Sequence, residues 1–244
     1  SAMPELERYM LHRLAELDAE LLAIVDMRDD RDVWLEFGRY TRALNEFANN
    51  DLSAFFFDIR KDCLYCDVNP ASGKETEKRR AYRTVLDHLF HALVRYAAPV
   101  IPFTAEEVWQ ARYPSEDGSV HLLEWPDVDR GWRDPSLGVR WAAIRSSRDQ
   151  VNEAIEPLRR EKVVRSSLEA EVSFDDLQAT IDGLPRGGEF AEYCIVADVK
   201  FVEGHGSPPS IQPTSHNKCG RCWRHLPEVS TDGDLCGRCA EMLA

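Results

Sequence analysis

The sequence predicts a mainly α-helical fold: an antiparallel helical bundle, then a small α/β junction unit, then a four-cysteine zinc-knuckle module. Three observations carry this. Apolar residues recur at steps of three and four through the first 113 positions, the period of a helix that buries one face. Near residue 168 the period changes to two, as in a half-buried strand. The last 26 residues hold two Cys-x-x-C pairs. The expected divisions are a bundle over 4–130, a long helix with a small α/β unit over 134–203, a linker over 204–214 and a zinc module over 215–244.

The first helix is expected over 4–27, with Pro4 in its first turn and Leu6, Leu14, Leu17, Leu21, Leu22 and Val25 on one face. Asp29, Asp30 and Asp32 end it. A second helix starts near Val33 and runs through Trp34, Phe37, Tyr40 and Leu44. The polar cluster Asn49, Asn50, Asp51 reads as a break, after which Phe55, Phe56, Ile59 and Leu64 resume the period. Pro70 and Gly73 mark a loop. A third helix over about 75–98 is closed by Pro99 and Pro102. Thr104 followed by Glu107 is a capping-box pattern and predicts a short helix through Trp109. A short extended piece is expected from Val120 to Trp125.

A further long helix is expected from Ser136 to about Arg160, with Pro157 near its end. Leu168 to Phe174 alternates apolar and polar. Asp175 and Asp176 start a short helix, Pro185 to Gly188 is a turn, and Tyr193 to Val202 is a second strand. Gly204 to Ser210 is a linker by composition.

Acidic residues outnumber basic ones, 43 against 30, for a net charge of −13. That excludes a general phosphate-binding surface, though not a local nucleic-acid site. The terminal 46 residues are balanced, with five of each sign. No run of 18 apolar residues and no secretory leader pattern occurs, so neither a membrane span nor secretion is expected. Seven cysteines without a leader point to a reducing cytoplasm and metal-bound thiolates rather than disulfides.

Cys219-Gly-Arg-Cys222 and Cys236-Gly-Arg-Cys239 are separated by thirteen residues. Tetrahedral zinc needs four ligands, and each Cys-x-x-C turn supplies two sulfurs on one side of the ion. The identical knuckles suggest a roughly symmetric site. Pro227 and Asp232-Gly233 suggest a hairpin between them. Iron in the same cage, or His216 or His225 in place of one thiolate, are the alternatives. Four thiolates leave no position for water, so the site is structural. Arg221 and Arg238 either screen the cage's negative charge or meet phosphate. Trp223 is either module core or an exposed platform for a base.

Other signals are weaker. Cys63 and Cys66 have redox-motif spacing but lie at the end of an apolar helix. Lys74, Lys78, Arg79, Arg80 and Arg83 form a basic cluster, and 139–165 carries a second basic excess. No catalytic triad, glycine-rich phosphate loop or paired-carboxylate motif stands out, so no catalytic residue is assigned.

The run NDLSAFFFDIRKDCLY from Asn50 to Tyr65 resembles the anticodon-binding helices of bacterial isoleucyl-tRNA synthetases. So do LVRYAAPVIPFTAEEVW from Leu93 to Trp109 and SVHLLEWP from Ser119 to Pro126. EKVVRSSLEA from Glu161 to Ala170 is similar to that family's helix-to-strand junction. Cys219 to His225 with Leu235 to Cys239 resembles its C-terminal zinc module. The likeness spans nearly all of 4–244. Cys63 and Arg165 depart from it, standing where the family commonly has arginine and glycine.

The family's nucleotide-binding signatures and editing domain are absent, so the chain looks like the C-terminal part of an isoleucine–tRNA ligase. The resemblance implies a parent enzyme that joins isoleucine to its tRNA with ATP and magnesium in the missing part. It implies one structural zinc on Cys219, Cys222, Cys236 and Cys239. It implies that this piece holds the anticodon stem-loop of isoleucine tRNA, with Trp223, Arg221, Arg224 and Arg238 as the expected RNA contacts. Its other partner is the rest of the synthetase chain. No DNA or membrane partner is expected, and the chain is expected to be a cytoplasmic monomer. Two other readings compete: a zinc-stapled helical protein-interaction module without RNA, and a thiol redox protein using Cys63 and Cys66.

Overall fold

The computed structural model describes residues 3–26, 33–186, 188–204 and 207–244. The aspartates expected to end the first helix, and parts of the 185–188 turn and of the 204–210 linker, lie outside the described residues. The chain divides into two compact units, one of residues 1–58 and 77–134, the other of residues 59–76 and 135–244. The expected division put 59–76 inside the helical bundle. In the structure this segment pairs with the junction unit, through Arg60 and Glu192 at 2.6 Å, and with Arg221 and Arg238 of the terminal module.

The first unit is helical. α1 (Glu5–Asp26) buries Leu6, Met10, Leu14, Leu17, Leu21 and Ile24. Arg8 N–H donates to the Pro4 carbonyl at 3.1 Å, so the proline opens the first turn, where its missing N–H costs nothing. α2 (Val33–Glu46) continues directly into a π-helix (Phe47–Phe57). This corrects the break expected at Asn49 to Asp51. In an i→i+5 winding, positions four and five apart share a face, and Phe47, Asp51, Leu52, Phe55 and Phe56 are all buried. Asp51 is held there by Arg13, whose Nη2 lies 3.2 Å from Oδ2. A tertiary ion pair therefore overrides the local preference of Asp for turns.

α3 (Asp58–Cys66) comes next in the chain but belongs, after Asp58, to the second unit; the first unit resumes with α4 (Glu77–Ala97) and α5 (Pro102–Arg112). α5 begins two residues before Thr104, with Ile101 as its cap and Pro102 at its first position. Thr104 therefore lies inside the helix and forms no capping box with Glu107, while Glu106 accepts from Ser119 Oγ at 2.7 Å and Val120 N–H at 3.0 Å. Val120–Leu122 is a single 3-10 turn, not an extended piece. Asp18, 5% exposed, is satisfied inside this unit by Tyr96 OH at 2.5 Å and Trp125 Nε1 at 2.8 Å.

In the second unit, α6 (Pro135–Arg160) buries Trp141, Ile144, Val151 and Ile155, and Pro157 lies within it. β1 (Ala170–Asp175) pairs parallel with β2 (Asp198–Val202) and antiparallel with β3 (Ser210–Pro213), giving the order β2-β1-β3. α7 (Asp176–Ile181) and α8 (Glu189–Cys194) form the crossover that a parallel pair requires. The Asp175 side chain caps α7 by accepting from Gln178 N–H at 2.9 Å. Tyr193 and Cys194 thus end a helix rather than begin a strand. β3 lies inside the segment expected to be linker. It is short and mostly exposed, so only its pairing with β1 marks it as a strand. Phe174 contributes to the buried side of this sheet against Phe190.

Candidate metal centre and the surface around it

The chain brings Cys219, Cys222, Cys236 and Cys239 together, with their sulfurs all within 4.8 Å of one another and all four side chains buried. Around tetrahedral zinc, with bonds of about 2.3 Å, neighbouring sulfurs stand about 3.8 Å apart. Cys222 Sγ and Cys236 Sγ are 3.8 Å apart. The donor set and its spacing therefore fit zinc. The histidines are committed elsewhere: His225 Nδ1 is 2.7 Å from the His216 carbonyl, and His216 Nε2 is 3.9 Å from Glu171.

The two knuckles share four letters but not one geometry. The first is a turn within a tight loop. Cys219 N–H donates to the Arg224 carbonyl at 2.9 Å, Trp223 N–H to the Cys219 carbonyl at 3.0 Å, and Lys218 bridges to His225. The hairpin feature is therefore at the first knuckle, not at Pro227 to Gly233. The second knuckle opens a helix: Cys236 caps α9 (Gly237–Leu243), and Cys239 lies inside it. The glycines differ accordingly. A Cβ on Gly220 would stand 2.3 Å from the Gly233 carbonyl oxygen, so only glycine fits, whereas Gly237 faces open space. The symmetry suggested by sequence is not present.

Backbone amides favour the thiolate at Cys219, whereas burial and neighbouring sulfurs push the Cys222 and Cys239 thiols up. Burial raises the Cys219 thiol, but N–H groups of Cys222, Cys236 and Arg221 outweigh it and bring it down to about 6. One of these is Cys236 N–H, 3.3 Å from Cys219 Sγ. Donors aimed at sulfur favour the thiolate that a metal needs.

The four expected RNA contacts fall into two groups. Arg221 Nη1 donates to the Cys66 carbonyl at 2.7 Å and Nη2 to the Val68 carbonyl at 2.8 Å. Arg238 Nη2 donates to both oxygens of Asp62 at 2.8 and 2.9 Å, and its Nη1 is 3.4 Å from Asp67. Both arginines are thus engaged by the protein itself. Trp223 and Arg224 are not: Trp223 is 65% exposed, and Arg224 has no side-chain hydrogen bond among the described residues. Trp223 also adopts φ +64°.

Sequence reasoning missed Asp62, Asp67 and the two carbonyls as partners of the knuckles. They lie more than 150 residues away, and no local pattern connects them. Cys63 and Cys66 are both buried free thiols, and Cys66 packs in the same cluster as the four cysteines. Burial, aided by Asp62, pushes the Cys66 thiol up to about 12, the opposite of what a redox nucleophile needs. Lys78, Arg79, Arg80 and Arg83 occupy the first turns of α4. No helix among the described residues is long and apolar enough to cross a membrane.

The chain belongs to the anticodon-binding domain family of tRNA ligases, matched over residues 7–174, from α1 into β1. A zinc finger found in FPG and IleRS matches residues 217–241 and takes in all four cysteines. The particular relatives are isoleucine–tRNA ligases. That of Zymomonas mobilis is 55% identical over 241 residues, covering 99% of this chain and 25% of that protein. Those of Gluconobacter oxydans and Agrobacterium fabrum are 42% and 41% identical, covering 99% and 94% of this chain and 24% of each protein. The chain spans about a quarter of the length of the curated relatives it matches.

Proposed function

We propose that this chain is the tRNA-anchoring part of an isoleucine–tRNA ligase, and that it holds the anticodon stem-loop of isoleucine tRNA. The anticodon-binding family match over residues 7–174 carries this reading. Charging of the tRNA with isoleucine, using ATP and magnesium, belongs to the remaining three quarters of such an enzyme, and this chain supplies no catalytic residue. It acts in the cytoplasm, as one copy joined to the rest of its synthetase. Cys219, Cys222, Cys236 and Cys239 ligate one zinc ion, which supplies fold and no chemistry.

Trp223 and Arg224 are the RNA contacts of the zinc module. The backbone of Trp223 supports this. A bulky residue at positive φ is unfavourable by about 1–2 kcal/mol, and glycine would avoid that cost. Packing does not repay it, because the indole is mostly in solvent. An exposed, backbone-fixed aromatic plane beside an arginine suits an unstacked base of an anticodon loop. Arg221 and Arg238 hold the segment that contains Asp62, Cys66, Asp67 and Val68.

The test is binding of the zinc-loaded chain to isoleucine tRNA and to the same tRNA with a swapped anticodon. Preferential binding of the first is expected. Trp223→Ala should weaken it by about 1–3 kcal/mol, roughly 5- to 150-fold, with zinc retained. Equal binding of both tRNAs, or an unaffected Trp223→Ala variant, removes the anticodon reading or the Trp223 role respectively.

A further inference from the structure

We propose that zinc in the four-cysteine cage fixes the segment 59–76 as well as the terminal module, and that Arg221 and Arg238 carry this coupling. Each arginine occupies the third position of a Cys-Gly-Arg-Cys knuckle, so two metal ligands bracket its backbone. Both side chains then reach the same short stretch, the end of α3 and the loop after it.

The two contacts do different physical work. The last carbonyls of a helix have no partner within it and carry the negative end of its dipole. Arg221 meets the Cys66 and Val68 carbonyls with two nitrogens of one guanidinium and so caps α3 from outside. In return, Cys66 Sγ lies 3.8 Å from the Arg221 carbonyl. Arg238 lies between Asp62 and Asp67. Asp67 is 3% exposed, and its Oδ1 has no hydrogen bond among the described residues, so the Arg238 guanidinium, 3.4 Å away, is its nearby compensating charge. The other Asp67 oxygen accepts from Thr76 Oγ1, and the Asp67 carbonyl from Thr76 N–H, which closes the loop over 67–76.

The knuckle backbone owes its shape to metal ligation, since so small a module lacks the core to fold without it. Removing zinc therefore removes the fixed mounting of both arginines. It also uncovers Cys66, which is buried against Cys219, Cys222, Cys236 and Cys239. The proposal concerns the fold and stands or falls independently of RNA contact.

Hydrogen exchange on the full chain, zinc-loaded and after chelation, tests it directly. Loss of zinc should speed exchange in 59–76 roughly tenfold or more, together with 215–244. It should also open Cys66 to labelling by a maleimide. A terminal module that opens while 59–76 keeps its protection and Cys66 stays unlabelled overturns the proposal. The route is tested with Arg221→Ala/Arg238→Ala. This variant should release 59–76 at saturating zinc and, because coupling is reciprocal, lose zinc to a competing chelator more readily. Unchanged protection with unchanged zinc retention assigns no coupling to these arginines and overturns it too.

Discussion

The helical unit and the zinc module solve the same problem with opposite distributions of information. In the helical unit, buried side chains are many and interchangeable in kind: Leu6, Met10, Leu14, Leu21, Phe55, Phe56, Leu89 and Tyr96 are all at most 2% exposed. Each contributes a few kcal/mol, and none is indispensable. In the terminal module the buried residues are Cys219, Cys222, Val229, Cys236, Cys239 and Met242. Two apolar side chains are no core, so four sulfurs and an ion must replace one. Stability that is spread out degrades by degrees, whereas stability concentrated at one point is lost at once.

The strongest break in this comparison is Cys236→Ser. Structural zinc is worth about 10–16 kcal/mol in small modules, and removing one of four ligands forfeits most of it. The variant should hold no zinc at stoichiometric metal and lose exchange protection across 215–244, while the helical unit keeps its cooperative thermal transition. Full zinc occupancy measured by metal analysis would count against a four-thiolate site. The reverse break is Phe56→Ala. Phe56 is fully buried in the π-helix and meets Tyr82 edge-on at 5.1 Å. The substitution should cost about 3–5 kcal/mol in denaturant unfolding followed by circular dichroism, with zinc content unchanged. A loss below about 1 kcal/mol would mean the π-helix repacks around the gap.

The same contrast explains what the sequence revealed. α1 was legible because its apolar stripe repeats over six turns, and the metal site because two spaced Cys-x-x-C pairs have few other uses. The π-helix was not, because Asn49, Asn50 and Asp51 resemble a break until Arg13 is seen to hold Asp51. β3 was hidden in a polar stretch ending at Pro213, since a four-residue edge strand exists only through pairing with β1. The identical knuckle letters suggested symmetry, yet Gly220 is fixed by the Gly233 carbonyl and Gly237 by nothing comparable. Most consequential, Arg221 and Arg238 read as cations that screen the cage or meet phosphate, not as grips on a distant segment. Their acceptors are set by tertiary structure, and periodicity and spacing carry no record of them.

The junction sheet uses a third device, one buried carboxylate, and this sharpens the comparison at the smallest scale. Glu171 on β1 accepts from Lys200 Nζ on β2 at 2.8 Å, from Gln212 Nε2 on β3 at 3.1 Å, and from Thr214 Oγ1 just beyond at 2.9 Å. It thus ties the three strands to the segment that leads into the zinc module. The Lys200 ammonium, with Thr214 and Gln212, outweighs the effect of burial and holds the Glu171 carboxyl down at about 2. A depressed carboxyl stabilises the fold fully above its unfolded value of about 4.5, and this contribution fades as the pH falls from there toward about 2. Glu171→Gln should therefore cost about 1–3 kcal/mol at neutral pH, the usual worth of hydrogen bonds to a charged group. Its stability should also fall less steeply than the wild type's between pH 5 and pH 3, with the two curves approaching each other in acid. Parallel curves would show that the carboxylate's charge does not hold the sheet, and that Thr214 and Gln212 alone anchor the segment leading to the metal.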